Sequence, residues 1–279
     1  MHITLLTNND IASVVALNYL YSGLANQHSL RVLISAQVGK HLPSYHQPEA
    51  LQHLKFVEQS LFSDLVFPAL HNGLMSPAQT AQQKLAANKL LSFSEFQHLG
   101  IEVLPITYIN DPQGLQELAK GQPDLCVSIR FGLILQSAVL ALPRFGVINL
   151  HSGKLPEYRG VMATLRAMLA QDAELSTTLH FIHDGTIDTG PVIATHSIKC
   201  DNQASYLENV LALYPGGVDT ILHAIHQLDS CGNLSSQAHT NTGQYFSFPD
   251  QADLLRFHAM GGRLYDPQHL VKLAQQFML

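Results

Sequence analysis

The chain has little cysteine, little charge and no long apolar run, and each shortage closes off a class of protein. Its three cysteines, Cys126, Cys200 and Cys231, stand far apart among 279 residues. No two are spaced as a zinc clip or a redox pair, so buried reduced thiols are expected rather than a disulfide framework. Charged residues make up only 13% of the chain and sum to a net charge of -6. That balance gives no general attraction to a phosphate backbone, and nucleic acid is not an expected partner. No stretch approaches the roughly 18 uninterrupted apolar residues of a membrane helix. The apolar run at residues 3–7 is too short for a signal segment and has no basic leader. A cytoplasmic protein with no membrane partner is expected. Nucleotide motifs are missing too: no GxGxxG follows the first apolar run, and no GxxxxGK followed by Ser or Thr occurs anywhere, so nicotinamide and ATP have no support.

What the chain does have is apolar residue, 46% of the total, enough for one large domain or a main domain with a smaller addition. Residues 3–7 read as a strand. Asn8, Asn9 and Asp10 then offer helix caps before Ile11, Val14, Val15, Asn18 and Leu24 at helical spacing, and residues 30–35 read as a second strand. Such a βαβ unit crosses over right-handedly and predicts a parallel sheet covered by helices. Residues 48–100 read as helical cover, and 102–106, 124–129 and 145–150 as further strands, each entered through Gly or Pro. A long helical stretch ends near Leu228, and residues 250–260 are helix-like. Between them, residues 243–249 hold Tyr245, Phe246 and Phe248, readable as an aromatic wall for a substrate or as a plain hairpin packed on the core.

Open parallel sheets bind ligands outside the carboxyl ends of their strands. The strand at 145–150 runs at that end into Asn149-Leu-His151, an amide and an imidazole two residues apart and on one side of an extended chain. The amide can donate to a developing oxyanion, and the imidazole can donate or accept. Acyl transfer needs a third group to orient the histidine and handle a proton, and Asp188, in Gly-Thr-Ile-Asp-Thr-Gly-Pro, is the candidate. Taken singly, Asn149 and Asp188 could each cap a turn, and His151 could be a core histidine. Sixteen histidines include the pairs His180/His183 and His223/His226, three residues apart as on a metal-binding helix, but no acidic partner accompanies them and no metal is expected.

In their order along the chain these pieces resemble the 10-formyltetrahydrofolate-dependent formyltransferases, the family of the methionyl-tRNA, glycinamide ribonucleotide and sugar enzymes. Arg130-Phe131-Gly132-Leu133-Ile134-Leu135 is similar to the family loop that cradles the pterin. Asn149-Leu-His151 is similar to its catalytic Asn-x-His, Leu155-Pro156 with Arg159-Gly160 to the turn after it, and Ile187-Asp188-Thr189-Gly190 to its aspartate loop. The resemblance implies a Rossmann-like α/β fold: a mostly parallel twisted sheet with helices on both faces. It implies a catalytic domain at 1–229 with a small C-terminal extension at 230–279. It further implies 10-formyltetrahydrofolate as formyl donor, held by residues 130–135 with His180 and Asp184, and Asn149, His151 and Asp188 as the catalytic set. The roles of Lys154 and Tyr158 stay open. The acidic total and the roughly fifty residues after the long helix favour a small amine acceptor, such as an amino sugar nucleotide or an N-hydroxyornithine, over tRNA. A homodimer is compatible with this. The alternatives are a formyltetrahydrofolate hydrolase, a methionyl-tRNA formyltransferase and a non-catalytic folate binder.

Overall fold

The first apolar run forms β1 (His2–Asn8). Asp10 starts α1 (Ile11–Leu24): its carboxylate accepts the Ser13 amide at 2.8 Å and its carbonyl accepts Val14, as an N-cap does. In this computed structural model, residues 1–24, 27–35, 47–70, 76–238 and 243–279 are described. β2 (Ser29–Ser35) pairs parallel with β1. The 48–100 region is helical where described. α2 (Glu49–Lys55) runs into a π-helical stretch (Phe56–Val66) and α3 (Phe67–Leu70), and then come α4 (Pro77–Ala86) and α5 (Phe93–His98). Both α4 and α5 open with capping boxes, Ser76 with Gln79 and Ser92 with Glu95. β3 (Glu102–Ile106), α6 (Pro112–Lys120), β4 (Leu125–Ile129), α7 (Ser137–Leu140) and β5 (Val147–His151) follow.

Beyond β5 come β6 (Tyr158–Gly160), α8 (Ala163–Leu169), β7 (Glu174–Ile182), β8 (Val192–Lys199), α9 (Tyr206–Cys231), β9 (Gln244–Phe246), α10 (Gln251–Ala259) and α11 (Pro267–Gln275). The main sheet has seven strands in the order β3-β2-β1-β4-β5-β7-β8. β1 to β5 are parallel, and β7 pairs antiparallel with both β5 and β8. The chain steps outward from β1 through β2 to β3 and then returns to β4 on its other side. In open α/β sheets ligands bind at such a reversal, outside the strands' carboxyl ends.

Alternate residues of the parallel strands serve two cores. Leu5, Val32, Val127 and Ile148 pack in the cluster that includes Ala16 and Leu20 of α1 and Val218 and Ile221 of α9. Leu6, Leu33, Cys126 and Val147 pack with Leu118 of α6 and Val139 of α7. Strands covered on both faces are apolar throughout. The last helix returns to the start of the chain, where Leu270, Leu273 and Phe277 are buried beside Ile11, Val14 and Val15.

Three expectations need correction. The 243–249 segment makes no hairpin, because β9 pairs parallel with the distant β6 as a separate two-stranded sheet. The cysteines are not uniformly buried: Cys126 and Cys200 are, but Cys231 ends α9 and is exposed. His180 and His183 lie on and just after a strand rather than on a helix. Among the described residues no three His, Cys, Asp or Glu side chains group as a metal site, and no helix is long and apolar enough to cross a membrane.

Candidate active site

The carboxyl end of β5 carries Asn149 and His151, separated by the buried Leu150 that anchors the strand. Antiparallel pairing sets Asn149 directly opposite His180 of β7 and His151 opposite Thr178. The Asn149 Nδ2 therefore lies 3.1 Å from His180 Nε2. Asp188 joins them from the loop between β7 and β8, at a left-handed φ of 54°. Its Oδ2 is 3.5 Å from His151 Nδ1 and its Oδ1 3.5 Å from His180 Nε2. His151 and His180 thus flank one carboxylate, and Asn149 joins the group through His180.

That carboxylate is nearly buried, and burial alone would push its pKa up. The His151 charge, the His180 hydrogen bond and charge, and the Gly160 amide outweigh this and hold it at about 2. Asp188 is an anion at neutral pH, poised as an acceptor rather than an acid. His151 is fixed from the other side as well: its Nε2 lies 2.6 Å from the carbonyl oxygen of Tyr158. A carbonyl only accepts, so this contact calls for a proton on Nε2. Gly160, two residues on, donates its amide to Asp188 Oδ2 at 2.8 Å, and Arg159 Nε donates to the Ile187 carbonyl at 3.0 Å. The main chain of β6 therefore grips both members of the His151–Asp188 pair. Sequence reasoning missed these backbone contacts. The signal was the glycine at 160, whose φ of +97° and close approach to Phe246 O, 2.2 Å from an added Cβ, leave no room for a side chain.

The 130–135 loop leaves β4 on the same side of the sheet. Arg130 has a left-handed φ of 58°, which turns its side chain away from the loop that follows. Its Nε bonds Asp10 Oδ2 at 2.9 Å and its Nη2 bonds Glu58 Oε1 at 3.1 Å. Burial opposes the Arg130 charge, but Asp10 and Glu58 raise its pKa well above the ordinary value. The Glu58 carboxyl, by contrast, is raised by burial against the pull of Arg130. The guanidinium thus joins Asp10 and Glu58 through Nε and Nη2 in an internal triad. Leu135 is buried, Phe131, Gly132 and Leu133 are half-buried, and Ile134 is exposed. Asn110 pins this loop, donating to the Ile134 carbonyl at 2.8 Å and accepting from the Gln136 amide at 2.9 Å. Asp184 is exposed and set apart from the His151–Asp188 pair, its carboxylate taken up by the Thr186 amide and hydroxyl. Those hydrogen bonds hold its pKa below the usual carboxylate value.

The family model described as formyl transferase matches residues 77–211, a span that contains the loop, Asn149, His151, His180 and Asp188. Over that span the chain is similar to the formyltransferase family. A methionyl-tRNA formyltransferase of Pseudomonas syringae pv. syringae is 42% identical over 127 residues, which is 45% of this chain and 40% of the relative. The chain spans about two fifths of the length of the curated relatives it matches. In fold, a sugar N-formyltransferase from a Shewanella species superimposes with a TM-score of 0.54 at 13% identity, covering 92% of this chain and 87% of that one. An N-formyltransferase from Helicobacter canadensis, solved with folinic acid and dTDP-3-aminofucose, gives 0.51 at 15% identity, covering 91% of this chain and 72% of its own. The formyltransferase-like architecture therefore extends beyond the segment matched in sequence.

Proposed function

We propose that this protein transfers a formyl group from a 10-formyltetrahydrofolate-type donor to the amine of a small-molecule acceptor, with Asn149, His151 and Asp188 as the reacting centre. The observation that carries the reading is the convergence of His151, His180 and the Gly160 amide on the buried Asp188 anion, beside the Asn149 amide. The donor's pterin lies along the main chain of residues 130–135, held in shape by Asn110, with Ile134 at the open side. Its formyl group faces Asn149.

The acceptor amine attacks the formyl carbon, and the carbonyl oxygen becomes an oxyanion. The Asn149 N–H groups donate to it. His151 joins when its Nε2 proton turns from the Tyr158 carbonyl to the substrate oxygen, while Asp188 keeps hold of the opposite edge of the ring. A preorganised donor of this kind is worth roughly a hundred- to a thousandfold in rate. The proton lost by the amine passes by way of Asp188 and its histidines to the folate nitrogen as the C–N bond to the donor breaks, a step in which general acid–base help contributes roughly a hundred- to ten-thousandfold. Formylated amine and tetrahydrofolate leave. No step requires a metal. Residues 1–229 constitute the catalytic unit, and 230–279 an extension packed against it.

The test is incubation of the protein with 10-formyltetrahydrofolate and a panel of amines: nucleotide-linked amino sugars, N-hydroxyornithine, glycinamide ribonucleotide and methionyl-tRNA. Amine-dependent release of tetrahydrofolate with a product one formyl group heavier supports the reading and names the acceptor. Release without amine replaces it with a hydrolase, and formylation of methionyl-tRNA alone replaces the small acceptor.

A further inference from the structure

The His151–Asp188 pair is held by a two-stranded sheet whose second strand comes from far along the chain. Tyr158 and Gly160, which accept from His151 and donate to Asp188, are the first and last residues of β6, and β6 pairs along its whole length with β9. The ladder continues one residue further, where Val161 donates to the Phe246 carbonyl at 2.9 Å. Two glycines make so close a pairing possible. A Cβ at Gly160 would meet the Phe246 oxygen, and one at Gly243 would sit 1.5 Å from the Pro156 oxygen.

β9 and the residues after it are gripped by a side chain of α8, besides the packing of Phe246 on the Tyr158 ring. Arg166 donates from Nη1 to Asp253 Oδ2 at 2.5 Å and from Nη2 to the Ser247 carbonyl at 3.1 Å, and its guanidinium lies 5.0 Å from the centre of the Phe246 ring. The planar guanidinium is suited to this combination of bidentate donation and stacking, which lysine cannot reproduce. Arg166 side-chain exposure is only 11%, so the pair with Asp253 is screened little by water. Among the described residues, the hydrogen bonds and ion pairs of Asn149, His151, His180 and Asp188 go to other partners than the Arg166 side chain.

We propose that Arg166 and β9 are positioning elements for the reaction centre: they clamp β6 so that the Tyr158 carbonyl fixes the His151 ring proton on Nε2 and the Gly160 amide fixes the Asp188 carboxylate. The inference rests on the proposed reaction for its kinetic consequence, but not for its structural one. A chain displaced by about 1 Å at such a centre loses rate on the order of a hundredfold while folding and ligand affinity persist.

The experiment compares the full-length protein with Arg166→Ala, Arg166→Lys and Asp253→Asn, reading the His151 ring nitrogens by 15N NMR alongside kcat, donor KM and Tm. In Arg166→Ala the Nε2–H signal of His151 is expected to shift and broaden, with kcat down roughly ten- to a hundredfold and donor KM within about twofold. Arg166→Lys recovers only part of this. Asp253→Asn keeps the α10 cap and gives the same pattern in milder form, and it carries the test if Arg166→Ala does not fold. A lowered Tm with unchanged His151 signals and unchanged kcat would overturn the clamp and leave Arg166 a packing residue. If the parent protein transfers no formyl group, the ring signals decide alone: a shift upholds the clamp while the proposed reaction falls, and no shift overturns it.

Discussion

Replacing Gly160 by alanine strikes both the β6–β9 pairing and the amide bond to Asp188 in the proposed reaction centre, and its cost follows from the geometry. The residue has a φ of +97°, and a Cβ there would lie 2.2 Å from the Phe246 carbonyl oxygen, a main-chain atom that cannot swing aside. Backbone strain of this kind costs about 1–3 kcal/mol. Parting β6 from β9 also draws the Gly160 amide from Asp188 Oδ2, a charge-assisted bond worth about 1.5–3 kcal/mol. A loss of about 3–5 kcal/mol in a chain of this size lowers Tm by roughly 6–15 °C. With the amide gone, one of the groups holding the Asp188 carboxyl at about 2 is removed, so its pKa rises towards the ordinary carboxylate value. Calorimetry and a carbon-13 titration of the Asp188 carboxyl between pH 2 and 6 read both effects. A Tm within about 2 °C of the parent, together with an unmoved titration, would refute the reasoning.

Asp188 also predicts acid sensitivity. Its folded pKa is depressed from 3.8 to about 2, so its contribution to stability is present above pH 4 and is lost as pH falls towards 2. The loss amounts to about 2 kcal/mol by linkage, and denaturant melts of Asp188→Asn should lack that part of the acid limb. In the internal triad, Arg130→Met leaves Asp10 and the buried Glu58 unpaired and should destabilise by about 3–5 kcal/mol. Glu58→Gln should leave Tm at pH 7 unchanged or higher, because the raised Glu58 pKa makes the ionised form the costly one, a cost that grows as pH rises. Chemical denaturation of the two variants side by side tests this order. Asn110→Ala releases two main-chain bonds of the 131–136 loop, and a rise of roughly tenfold in donor KM with kcat within about twofold is expected in steady-state assays.

The parallel half of the sheet was legible because its strands are covered on both faces and therefore read as unbroken apolar runs: Leu5 and Leu6, Val32 and Leu33, Cys126 and Val127. β7 and β8 gave no such signal. β7 carries Ser176, Thr177, Thr178 and His180 in buried positions, and β8 alternates between half-buried and exposed. Their polar residues obscure the period that marks a strand. At the candidate site, the order and chemistry of Asn149, His151 and Asp188 led to residues that the fold brings together. The contacts that orient them could not be read in this way, because Tyr158 and Gly160 act through main-chain atoms, which every residue possesses. β6 and β9 are three residues each and exist only as a pair, so neither is visible until the fold brings them together. The pairing of Arg130 with Asp10 and Glu58 was hidden for the same reason, its partners lying just before α1 and on the π-helical stretch.

The central claim is that the cluster at the end of β5 performs formyl transfer, and a single-turnover measurement on Asn149→Ala with saturating 10-formyltetrahydrofolate and the accepted amine tests it most directly. The expected transfer rate is lower by roughly a hundred- to a thousandfold, the effect of removing one oxyanion donor, with donor affinity within a few-fold of the parent. A rate equal to the parent's would contradict the claim and place the chemistry elsewhere.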